Sequence, residues 1–340
     1  MNLKSIKKSS FFSPWLIVLL FLNFGCKETL PKEEAEKQMK AFDNELIVIY
    51  DQLSKSEGYH ILNYLLTIND LPIPLLNLVQ SNSSGASVYQ FEAHTGVYRV
   101  DTTTNSASWS APSDSIIVVF PYRSKNDSVA YMELTGYTEA LTRWGSVMPT
   151  SLLLKIKASD IVLFQIRLKG EVKHDIPTKM NLELSMDNYR LEAKLRSLLN
   201  KRKARFYINL TVETLEKKII TFAAYMLHDV TNPDQSVLEK TKIHWKTFPV
   251  DIELKMDNKS FDPSTHNFIQ EFNEHTTIQI NSQLNGASLG EVKLENRNGM
   301  GKLNYSISFE DGTSVFFDDL LLAYKYLMNA RYPDVPISRK

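Results

Sequence analysis

From Lys32 onward the apolar positions recur in helical steps. Ala35, Met39, Phe42, Leu46, Ile49 and Leu53 follow one another at intervals of four, three, four, three and four, which sets them on one face of an α-helix. Lys, Glu, Gln and Asp fill the other face, and the helix is expected to end near residues 56–58. A second helix is predicted over about Tyr59–Ile68, apolar at Ile61, Leu62, Leu65 and Leu66. The two form an αα-hairpin turning around Gly58, closed by Pro72 and Pro74.

The period then changes from helical to alternating. Residues 81–87, SNSSGAS, read as a loop, and strands follow. Val88–Ala93 and Val97–Asp101 flank a hairpin turn at His94-Thr95-Gly96, and Pro121 stops an apolar strand over Ser115–Phe120. Alternation is cleanest at the centre. Met180, Leu182, Leu184 and Met186 alternate with polar residues, as do Tyr189, Leu191, Ala193 and Leu195, and Phe206, Ile208, Leu210 and Val212. Val250–Met256 and Leu303–Phe309 repeat the pattern. Such strands carry one apolar and one solvated face, the mark of antiparallel sheets covered on one side. Lys218–Met226, with few polar positions, reads as a strand buried on both faces, and Asn232-Pro233-Asp234 breaks the chain after it. A short helix at about Ser264–Asn273 and a closing helix at about Phe317–Ala330 complete the set. Asp318 and Asp319 stand in the first turn of the latter, where the helix dipole favours anions.

These elements predict an α+β fold. Its centre is a large twisted antiparallel sheet of ten or more strands, with amphipathic helices at the N- and C-terminal ends packed on the apolar face. The expected organisation is a leader over 1–25, a tether over 26–31, a helical segment over 32–74, β-rich regions over 75–230 and 231–333, and a tail over 334–340.

The chain's one cysteine directly follows the leader. Lys4, Lys7 and Lys8 precede a mostly apolar run, Phe11–Phe24, that is too short for an ordinary transmembrane span but fits a secretory signal. Leu22, Asn23, Phe24, Gly25 and Cys26 follow in order. An apolar run ending in a small residue and a cysteine resembles the lipobox of bacterial lipoproteins; Asn23 and Phe24 depart from its stricter form and look like the bacteroidete type. That resemblance implies cleavage before Cys26, modification of its thiol with a diacylglycerol, palmitate as an attached acyl group, and attachment to a cell-envelope membrane, outer membrane included, on the periplasmic or exposed side. The body is similar in style to uncharacterised lipoproteins of that group. A more distant architectural likeness is the LolA/LppX-like half-barrel, in which a curved sheet and helices hold acyl chains.

Composition narrows the partners. Lys and Arg number 39 against 39 Asp and Glu, and a neutral balance argues against nucleic acid. A single cysteine leaves no disulfide and no thiolate metal site. Seven histidines are scattered, without an HExxH pair; His266 and His275, near Glu271 and Glu274, are the one grouping with metal-donor chemistry. There is no GxSxG elbow around a nucleophile and no glycine-rich phosphate loop. The densest basic cluster, Lys201, Arg202, Lys203 and Arg205, is expected at the tip of a hairpin. It reads either as a solvated tip that blocks edge aggregation or as a contact for anionic headgroups. No motif names a reaction or a cofactor. The chain reads as a non-enzymatic, membrane-tethered protein acting through contact with an envelope partner, or as a carrier of a lipid or other apolar ligand between sheet and helices.

Overall fold

The structure, a computed structural model, describes residues 28–73, 89–122, 129–142, 147–232, 235–259, 261, 267–297 and 302–323. Two helices come first, α1 (Lys32–Ser54) and α2 (Glu57–Thr67), with a 3-10 turn at Phe91–His94. Strands follow: β1 (Gly96–Asp101), β2 (Ser106–Ala111), β3 (Ile116–Pro121), β4 (Val129–Leu141), β5 (Val147–Ala158), β6 (Ile161–Lys173), β7 (Ile176–Met186) and β8 (Tyr189–Leu199). After them come β9 (Lys203–Glu213), β10 (Lys218–Asn232), β11 (Gln235–Thr247), β12 (Val250–Asp257), α3 (Phe268–His275), β13 (Thr276–Ser282), β14 (Ser288–Arg297), β15 (Lys302–Ser308), β16 (Ser314–Phe316) and α4 (Phe317–Leu320).

All sixteen strands lie in one open, twisted sheet whose spatial order is the chain order, apart from an exchange of β1 and β2 at one edge. Every pairing is antiparallel except β1 with β3. The alternation in the sequence explains why one face is apolar, since residues directly opposite on paired strands share a face. Leu168, Leu182, Ala193, Leu210, Phe222, Trp245, Ile252 and Ile280 form a single register row across eight strands. β10 pairs with β11 across residues 233–234, so the sheet runs unbroken through that point.

Four buried clusters lie on the sheet. One gathers Ile61 and Leu65 of α2 with Ile116, Met132, Ile156 and Phe164. A second joins Ala35, Met39 and Phe42 of α1 to Val250, Ile280, Leu289 and Ile307. A third, Ile176, Ala204, Phe206 and Val230, closes hairpin tips, and a fourth sets Ile49 against Tyr189 and Ile219. The successive apolar positions of α1 thus meet strands far apart in the sheet; at 23 residues the helix is about 34 Å long. Between α1 and α2 the Ser56 side chain accepts the Tyr59 N–H at 3.2 Å, a regular N-cap. Gly58 sits so close to the sheet that a Cβ there would lie 2.6 Å from Met186 Cγ and 2.8 Å from the Leu163 carbonyl oxygen.

One contact joins the two ends of the described chain. The carboxylate of Asp43, 5% exposed, accepts the backbone N–H groups of Leu322 at 2.7 Å and Ala323 at 2.8 Å.

Two expectations are corrected. Within the segment expected as a strand at Val88–Ala93, the chain forms the 3-10 turn Phe91–His94 instead and enters β1 at Gly96; Val88 itself is not among the described residues. There Tyr89 is held by its own contacts: its hydroxyl donates to the Pro72 carbonyl at 2.7 Å and its N–H to Glu139 Oε2 at 2.7 Å. Lys218–Met226 is not buried on both faces. Thr221 is exposed, and Ala223 and Tyr225 face the polar side opposite Asn209 and Tyr207. Beyond Ala323 the expected closing helix lies outside the described residues; Asp318 and Asp319 do stand in the first turn of α4.

Candidate functional site

On the helix-bearing face the four clusters leave a gap over the central strands. Met180, Leu182, Ala193, Ile208, Leu210, Phe222 and Ile243 belong to none of them, and all seven are half-buried. Register makes them contiguous. Leu182, Ala193, Leu210 and Phe222 form one row, and Met180, Leu195, Ile208, Ala224 and Ile243 the next. The strip is about 19 Å across, four inter-strand spacings from β7 to β11. It is a broad apolar surface rather than a chamber. Two depressions, of about 630 and 470 Å³, lie elsewhere and have mixed linings. The larger is formed by Ile117, Val129, Tyr131, Glu133, Lys157, Ser159 and Asp160. The smaller lies between the α1–α2 turn and two hairpin turns, around Gln52, Ser56, Asp187 and Leu215.

The basic cluster comes where it was expected, at the turn between β8 and β9, and is divided by its surroundings. Lys201, Arg202 and Arg205 are exposed. Lys203 is tied down: its Nζ donates to Asp229 at 3.1 Å and to Glu239. The bond to Glu239 leads in raising the Lys203 pKa. Asp229 also accepts the hydroxyl of Thr231 at 2.6 Å and its N–H at 2.9 Å. These bonds, Thr231 first and then Lys203, lower its pKa from 3.8 to about 2. A depressed carboxylate contributes stability that is complete above the unfolded value and is lost as pH falls through the folded one. Asp229→Asn is therefore expected to lower the denaturant midpoint at pH near 5, and the difference from the parent should vanish between about pH 4 and pH 2. An equal difference at pH 2 would show that the carboxylate charge is not what is lost.

Titratable groups elsewhere are engaged in the fold. Glu139 accepts the Tyr137 hydroxyl and the Tyr89 N–H on its two oxygens, and burial pushes both phenols well above their usual value. His244 Nε2 lies 2.5 Å from Asp251 Oδ1, and His275 Nε2 lies 3.3 Å from Glu271. Burial lowers His228, whose ring meets Phe206 edge-on at 5.4 Å. Among the described residues no three His, Cys, Asp or Glu side chains come together as metal donors. Neither Cys26 nor His266 is among the described residues.

No single-residue motif marked the strip in the sequence. Its apolar positions were legible as core; that they form neighbouring register rows outside the four clusters was not. No protein-family model matches the chain, and neither does any curated protein or solved structure.

Proposed function

We propose that the chain is a non-enzymatic envelope lipoprotein, held to a membrane through an acylated Cys26, that works by binding a protein partner across the apolar strip of β7–β11. In this reading amphipathic segments from both ends of the chain cover the ends of the apolar face and leave the middle for the partner. The carrying observation is the open, half-buried strip between four filled clusters. A wide shallow surface suits the apolar core of a protein interface, whereas a small ligand is normally enclosed on most sides. Among the described residues no helix is long and apolar enough to cross a membrane.

A second reading, binding of a lipid or other amphiphile, has one observation in its favour. Lys201 and Arg202 are exposed at the hairpin tip beside Ala204 and Phe206, at one rim of the same face. Native mass spectrometry of residues 27–340, exported without the anchor and then extracted with solvent, separates the two. A stoichiometric lipid makes the second reading the working one. Bare chain mass supports the first, and a photo-cross-linker at Leu210 then identifies the partner. Leu210→Lys should weaken that complex by about 2 kcal/mol or more, roughly thirtyfold. Leu141→Lys, a change at an exposed apolar residue off the strip, should leave it intact. Equal losses in both variants would dismiss the strip as the interface.

A further inference from the structure

We infer that the opposite face of the central sheet binds a linear polysaccharide bearing carboxylate or sulfate groups, along a row of basic and tyrosine side chains. The row is a product of register. Lys179 stands opposite Arg196, Arg196 opposite Tyr207, Tyr207 opposite Tyr225, Tyr225 opposite Lys242 and Lys242 opposite Lys255. It crosses six strands, β7 to β12, over about 24 Å. Lys179, Arg196, Lys242 and Lys255 are exposed, and the rings of Tyr207 and Tyr225 lie 5.3 Å apart at the centre. Arg205 and Lys240, two positions along, flank Leu227 in the next row of the same face.

Some cations of this face are paired with acids: Arg190 lies 3.8 Å from Glu213, Lys194 2.6 Å from Glu192 and Lys246 3.3 Å from Asp251. In the row, Lys179 meets Arg196 and Lys242 meets Lys255 directly across strands, an arrangement that destabilises a sheet. Lys255 has Glu253 at 3.5 Å, and Glu171 stands opposite Lys179 and Asp257 opposite Lys240; Arg196 and Lys242 make no ion pair among the described residues. A chain whose charges balance overall thus sets two pairs of neighbouring cations on one line and places two aromatic rings between them. That is the complement of an extended polyanion with apolar patches between its charges. The two cation pairs are centred four strand spacings apart, about 19 Å, which leaves room between them for sugar rings whose C–H faces stack on the tyrosines. A nucleic acid fits less well, because its binding domains carry a basic balance that this chain lacks. The inference concerns the face away from the apolar strip and stands apart from the function proposed for that strip.

The test uses the full chain in neutral detergent with three probes: a heparin oligosaccharide, an oligogalacturonate and a single-stranded oligonucleotide of matched charge. Affinity is measured at about 50 and about 200 mM salt. At least one glycan should bind. Arg196→Gln/Lys242→Gln/Lys255→Gln should weaken it about thirtyfold or more and flatten the salt slope by roughly three, about one per lost contact. Tyr207→Ala should weaken glycan binding several-fold with the slope unchanged. The triple variant should also melt no lower than the parent, because it removes like-charge neighbours; a lower melting temperature would mean that the row stabilises the sheet and would overturn the premise. Lys37→Gln/Lys40→Gln/Lys55→Gln, on α1 and at its C-terminal cap, removes the same charge and should leave binding unchanged. An equal loss there reduces the effect to net charge and defeats the inference. So does binding of neither glycan, and so does an oligonucleotide that binds tighter than both and is lost with the row.

Discussion

Asp43→Ala is expected to destabilise the fold by about 3 kcal/mol, read as a fall in the urea midpoint with an unchanged slope. Asp43 lies within α1, and its two oxygens accept the Leu322 and Ala323 N–H groups. Bonds to a charged acceptor contribute roughly 1.5–3 kcal/mol each, and a buried amide left without a partner forfeits its hydration as well. Alanine returns a few tenths of a kcal/mol through helix propensity, too little to offset the loss. Asp43→Asn keeps one acceptor oxygen and should cost about half as much. Hydrogen exchange gives the local check: in Asp43→Ala the Leu322 and Ala323 amides should lose protection before the central strands do. A uniform loss across the sheet would place the damage in α1 itself rather than in its hold on residues 322–323.

The proposed anchor carries the other large effect. Cys26→Ser should move nearly all of the protein from the membrane fraction to the soluble one. Each buried methylene of an acyl chain is worth about 0.8 kcal/mol, so two or more chains hold a protein firmly while none holds it at all. The position of the leader makes the outcome discriminating. If the parent itself keeps Phe11–Phe24 uncut as an anchor, Cys26→Ser remains sedimentable with a mass changed only by the substitution, and the lipobox reading falls. If cleavage in the parent depends on the acylated thiol, a sedimentable variant is instead a precursor that still carries residues 1–25, and mass spectrometry of parent and variant tells the two apart.

Much of the fold was legible because it is local. The apolar steps of Ala35 to Leu53 anticipate α1 almost to its ends, and the alternation in Met180–Met186 or Tyr189–Leu195 anticipates strands with one apolar face. Lys218–Met226 misled because Ile, Phe, Ala and Tyr offer little contrast between faces; pairing alone shows Tyr225 on the polar side. The contact of Asp43 with residues 322–323 was invisible, because nothing in a helix sequence announces a carboxylate turned toward a distant backbone. The basic row shows the same limit. Contiguity drew attention to Lys201, Arg202, Lys203 and Arg205, yet Lys203 is matched by Asp229 and Glu239. Lys179, Arg196, Lys242 and Lys255 are scattered along the chain, and only five successive registers bring them into line.

The strand order also has a meaning in time. A ribosome makes the chain from its N-terminus, and from β4 to β16 each strand finds its partner in the one just finished. The sheet can lengthen by zipping, with short loop closures and little search. α1 cannot follow that schedule. It is among the first segments made. Ile49, near its end, meets Tyr189 and Ile219 once β10 exists, yet Ala35, Met39 and Phe42 require β12 to β15, and Asp43 waits for residues 322–323. For most of synthesis the first half of α1 is an amphipathic surface with nowhere to dock. Strands made late are therefore what end the exposure of a helix made early.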